Sequence, residues 1–128
     1  MKIERLLPLF IFALCGCAPT QYIQKGTYDG VEVSYRWNHP TGKPSEILLK
    51  MTNTTAEDKQ VDLVIDLTYQ GRTVETLRAD TCLRVGQTMN GKLNGIYFIP
   101  EQLTTEQIKS GDATAELTNT TVEGTTCP

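Results

Sequence analysis

The side chains able to do chemistry are few. His39 is the single histidine. It sits in Asn38-His39-Pro40-Thr41-Gly42-Lys43-Pro44, a stretch whose prolines and glycine make it a loop. Nucleophilic catalysis would need His39 within reach of a serine or cysteine and oriented by a carboxylate. Ser34, Ser45 and Ser110 are available, but none lies in a Gly-x-Ser-x-Gly elbow, and a surface loop role for His39 is expected instead. Asp62 and Asp66 share one parity of an alternating segment, about 13 Å apart in rise. That is wider than the carboxylate pairs of glycosidases, and solvated outward acids are expected. There is no D-x-[DN]-x-[DN]-G calcium loop. With one histidine and no C-x-x-C, the cysteines at 15, 17, 82 and 127 do not form a metal set. The residues therefore predict no catalytic site, no cofactor and no metal.

The most informative spacing lies at the start of the chain. Lys2 and Arg5 precede an apolar run, Leu6 to Leu14, broken only by Pro8. Nine helical residues at about 1.5 Å each cannot cross a hydrocarbon core of about 30 Å. A basic start, a short apolar middle and small residues afterwards describe a secretory signal peptide. Its end, Leu14-Cys15-Gly16-Cys17, resembles the lipobox of bacterial lipoproteins. The resemblance implies cleavage before Cys17 and lipid on its sulfur and amine. Cys15 is a rival, but Leu14 is a poor residue to precede a cut. One acyl chain binds a bilayer only reversibly, whereas two or three on one cysteine hold it there. Among such lipoproteins, Asp after the cysteine tends to retain the protein in the inner membrane. Ala18 follows here, which implies the outer membrane, facing the periplasm.

On that reading residues 1–16 are the signal peptide, 17–26 the lipidated cysteine with a short tether, and 27–128 one folded domain. Of the 12 basic and 15 acidic residues, Lys2, Arg5 and Glu4 leave with the signal. The remaining 10 and 14 give a mature net charge of −4. No basic footprint for nucleic acid follows, and no polybasic run for anionic headgroups. Once Cys15 is removed and Cys17 acylated, Cys82 and Cys127 remain as a pair in an oxidising compartment. A disulfide is expected, closing about 45 residues and contributing roughly 4 kcal/mol in the chain-entropy account.

The domain alternates with period two. Val31, Val33, Tyr35 and Trp37 form one such set, Ile47, Leu49 and Met51 another, and Val61, Leu63, Ile65, Leu67 and Tyr69 the strongest. A return strand over 73–81 is expected after Gly71, with Val74 and Leu77 reconciled only by a bulge. A strand is expected over Met89–Ile99, with Gly91 and Gly95 marking bulges or close contacts. The last runs from Ala113 to Val122. Thr104 and Gln107 make a capping box, predicting a helical turn near 105–109. Asn53-Thr54-Thr55 and Asn119-Thr120-Thr121 read as turn chemistry rather than glycan acceptors. Parity places Trp37 and Tyr69 inside. The pattern is an all-β, antiparallel β-sandwich of about seven strands with one short helical turn, a small closed barrel being the alternative.

The run from Ile47 to Thr55, then Val61 to Tyr69, Gly71, Val74 and Val85-Gly86-Gln87-Thr88, is similar to single immunoglobulin-like modules of bacterial lipoproteins, including the FxLYD-type group. The resemblance implies an immunoglobulin-like sandwich serving adhesion, assembly or spacing. No functional residue carries over, because the shared positions are structural. Trp37 does not lie between two sheet cysteines, unlike in antibody domains. The expected role is a non-catalytic protein-binding or assembly module, with the lipid bilayer and another envelope protein as partners and strand addition as one mode of binding. A glycan-binding accessory module is the second reading and needs an exposed aromatic platform. A small hydrolase is the third.

Overall fold

The computed structural model describes residues 21–128. Residues 1–20, and with them the signal peptide and Cys17, lie outside the described residues.

The alternating segments become two antiparallel sheets. The first contains β1 (Ile23–Tyr28), β2 (Val31–Asn38), β3 (Glu46–Asn53) and β6 (Thr88–Asn90) in that order, with β7 (Tyr97–Phe98) also on β3. The second has β4 (Asp58–Tyr69) in the centre, between β5 (Arg72–Leu83) and β8 (Ala113–Thr125). The inward positions of both meet in one core. Val31, Val33, Ile47, Leu49 and Met51 from the first sheet pack with Val61, Leu63, Ile65 and Leu67 from the second, all essentially inaccessible to water. The chain is thus the expected all-β antiparallel sandwich. β1, β2 and β3 run as a meander before the chain crosses to β4.

Register confirms the bulge that parity demanded. Leu67 pairs with Glu75 and Thr68 with Thr73, so Val74 is the extra residue and stays exposed while Leu77 turns inward. A second irregularity leaves Thr118 unpaired between Asn119 and Leu117. Asn119-Thr120-Thr121 therefore belongs to strand β8, not to a turn as expected.

Two segments depart from the sequence reading. Ile23–Tyr28 was expected to be largely tether, yet it pairs with β2 as β1, since Tyr28 reaches the core. The expected strand over Met89–Ile99 is interrupted by α1 (Gly91–Asn94). Gly91 allows this: a Cβ there would stand 2.9 Å from the Leu48 Cβ, so only glycine lets the backbone lie on that side chain. Gly95, at φ 75°, ends the turn in the left-handed conformation, and its N–H bonds back into α1. The predicted helix is α2 (Thr105–Lys109), with both arms of the capping box present. The Thr104 hydroxyl accepts from Gln107 N at 3.1 Å, and the Gln107 side chain accepts from Thr104 N at 2.8 Å.

Candidate functional surfaces

Ser45 and His39 are brought together, but not as a nucleophile and its base. The His39 Nδ1 lies 2.7 Å from Ser45 Oγ, and that hydroxyl donates to Thr105 Oγ1 at 3.0 Å. With the serine proton committed to Thr105, Nδ1 is the donor to Ser45, the reverse of what a general base requires. Ser45 is only 3% exposed. Among the described residues no carboxylate orients the other ring nitrogen. Burial first, and the charge of Lys109 second, lower the His39 pKa below its ordinary 6.5. The chain His39–Ser45–Thr105 fastens the 39–45 loop to α2, and the two border an open hollow of about 560 Å³ with Lys43, Glu106 and Lys109 on its walls. Ser34 is buried in β2, and Ser110 caps α2 through Gln107 O, both away from His39.

The carboxylates regroup across strands. Asp66 accepts from the Thr76 hydroxyl at 2.9 Å, whereas Asp62 faces Asp80 across the β4–β5 ladder. Loss of water, a hydrogen bond shared with Asp80, and the charges of Asp80 and Glu123 raise the Asp62 pKa above its ordinary value. Sequence spacing suggested Asp62 with Asp66; only register identifies Asp80 as the neighbour. Among the described residues no three histidine, cysteine or acidic groups converge to hold a metal.

Asn53 is fully buried, and each of its polar atoms is used. Its Nδ2 donates to the carbonyls of Glu57, Leu83 and Arg84 at 2.8, 3.2 and 3.1 Å. Its Oδ1 accepts from Thr55 N and Oγ1 at 2.9 and 2.7 Å. The Asn-Thr-Thr turn thus ties the end of β3 to the end of β5. Beside it Lys59 bridges Asp29 and Glu57, each at 3.0 Å.

Cys82 and Cys127 form the expected disulfide, with Cα atoms 5.7 Å apart. Asp58 supplements it, accepting from Cys127 N at 2.9 Å and Val85 N at 3.1 Å. These contacts fix the C-terminal tail against the loop that follows β5.

The aromatic residues divide. Tyr35 is buried, and Trp37 and Tyr69 pack against the core, as parity indicated. Tyr97 is 36% exposed on the outer side of the first sheet. The two outer strands of the second sheet are long and pair only with β4 among the described residues. Part of the β5 edge is occupied: Glu75 accepts from the backbone N–H groups of Glu101 and Gln102, and Thr81 donates to the Met89 sulfur. Near the start of β8, Lys25 of β1 reaches Glu116 at 3.4 Å. Beyond Thr118 the β8 edge has no strand beside it among the described residues. No helix among them is long and apolar enough to cross a membrane.

No protein-family description, curated protein or solved structure matches this chain.

Proposed function

We propose that the chain is a bacterial envelope lipoprotein, held by acyl chains on Cys17 at the periplasmic face of the outer membrane, whose sandwich is a non-catalytic binding or assembly module. The address is supported by the basic start, the short apolar run and Leu14-Cys15-Gly16-Cys17. The observation that carries the binding role is the outer edge of β8 over residues 118–125, a run of backbone donors and acceptors able to take a partner's strand. Four of its eight residues are Thr and only Glu123 is charged, which favours extended pairing with little charge to repel a neighbour. The FxLYD-type likeness is consistent with such a role. Neither the His39–Ser45 pair nor the Asp62–Asp80 pair supplies a reaction centre.

Hydrogen exchange on the protein in its native envelope, compared with the purified protein, tests the edge. Partner binding by strand addition slows the amides of 118–125 while those of 72–76 are unchanged. Equal exchange across 118–125 in the two preparations contradicts it.

A further inference from the structure

Alternation in β2 and β3 sends Arg36, Leu48 and Lys50 to the outer side of the first sheet, where Arg36 pairs with Leu48. Tyr22 lies on the same side, its ring 5.4 Å from the Arg36 guanidinium and 5.5 Å from the Lys50 ammonium. At the far end of the face, Tyr97 pairs with Leu48, and Lys92 stands 5.5 Å above its ring. α1 rests on Leu48 through Gly91 and presents Leu93, which is 84% exposed. Of the acids on this side, Glu46 is bound by Lys92 at 2.7 Å and only 3% exposed, and Glu32 lies at the β1–β2 end.

The opposite outer face has the other sign. Asp62, Asp66, Asp80 and Glu123 occupy outward positions of the second sheet, with Arg78 among them. A mature chain of net −4 is therefore polarised across its thickness, cations and amphipathic tyrosines on one side and carboxylates on the other. No run in the sequence discloses this, because the three cations come from three elements.

We infer that the Tyr22–Arg36–Lys50–Leu93 face docks on the headgroup layer of an anionic phospholipid bilayer. The inference rests on the proposed acylation of Cys17. Four residues lie between Cys17 and Tyr22, five steps along the chain and a reach of at most about 18 Å, so a domain anchored there lies within touching distance of the membrane. Tyrosines sit at the interface by their amphipathic rings, an exposed leucine inserts shallowly, and the cations pair with headgroups. The acidic face is turned away, leaving β8 open to the periplasm.

The test uses the full-length protein isolated with its lipid, placed in vesicles of phosphatidylethanolamine and phosphatidylglycerol at 3:1, with an environment-sensitive fluorophore on L93C or, on the acidic face, T76C. Intact mass and vesicle flotation report the anchor independently. The expected result is a blue-shifted L93C probe, quenched by quencher-bearing lipid, and a T76C probe that stays in water. Reversing Arg36 and Lys50 to Glu lowers the docked-to-undocked ratio of the L93C probe by roughly fivefold or more per charge. Leu93→Asp, at a side chain that is 84% exposed, lowers contact without altering the fold; it is read as a smaller slowing of amide exchange over residues 91–98 when vesicles are present. Acylated protein that floats while its L93C and T76C probes are equally wet overturns the docking face and leaves the anchor standing. Protein without acyl mass that does not float overturns both.

Discussion

Asn53 makes five hydrogen bonds from a fully buried position. It satisfies three carbonyls and closes its own turn with both lone pairs of Oδ1. Asn53→Ala leaves those buried groups without partners and is expected to cost about 3 kcal/mol, read as a lower urea midpoint at unchanged slope. Asn53→Asp is expected to be worse still, since a carboxylate presents acceptors to acceptors. Asp62 works in the opposite direction. Its pKa is raised in the folded chain, so the native state holds its proton more tightly than the unfolded one. It therefore costs stability at pH 7, a cost that fades as pH falls below the folded pKa. Asp62→Asn is expected to raise Tm at pH 7 and to make no difference once the wild-type carboxyl is protonated; thermal melts across pH 3–8 decide it. His39, with a lowered pKa, should stabilise fully above pH 6.5 and lose that contribution as pH falls below it. The Asn53–Thr55 turn and the Thr104–Gln107 pair were legible in sequence, because both close within a few residues; the bonds from Asn53 to the carbonyls of Leu83 and Arg84, about thirty residues away, were not. The meeting of Asp62 with Asp80, and of His39 with Ser45, was not, because register and loop path are decided by packing.

Among the elements, β4 was the most readable. Its strict alternation buries one face and wets the other, and a one-residue slip would turn Val61, Leu63, Ile65 and Leu67 out to water. The short helices differ in this respect. α2 announces itself by a capping box, and Thr104→Ala is expected to cost about 1 kcal/mol, measured by chemical denaturation. α1 carries no such signal: the Asn90 side chain makes no capping bond, and the turn is held by Gly91 fitting against Leu48 and by Asn94 Oδ1, which accepts from Asn90 N at 2.7 Å. Gly91→Ala forces that contact and is expected to cost about 1–3 kcal/mol. β1 was hidden for a related reason, since Gln24, Lys25 and Gly26 carry no alternation and the strand is held by its pairing with β2. The Cys82–Cys127 bridge joins the end of β5 to the tail beyond β8. Replacing both cysteines by serine is expected to cost up to about 4 kcal/mol, with Asp58 retaining part of the tail contact. Because hydrogen bonds from Cys127 N and Val85 N hold the Asp58 pKa below its ordinary 3.8, that residual contact is present above pH 4 and lost as pH falls through the folded pKa.

At the scale of the molecule, the described residues form a sandwich with two unlike outer faces and an edge of β8 that no other strand pairs with. Those features are the ones on which the proposed binding and docking roles rest. Everything about where it acts depends on Cys17, the residue through which the account joins fold to membrane. The most direct test is the intact mass of the full-length protein purified from its own membranes, before and after reduction. The account predicts a chain that begins at Cys17, carries acyl mass on that residue, and gains one pair of hydrogens when the Cys82–Cys127 bridge is reduced. A chain without lipid, or one that retains residues 1–16, would contradict the anchor and with it the envelope role proposed for the sandwich.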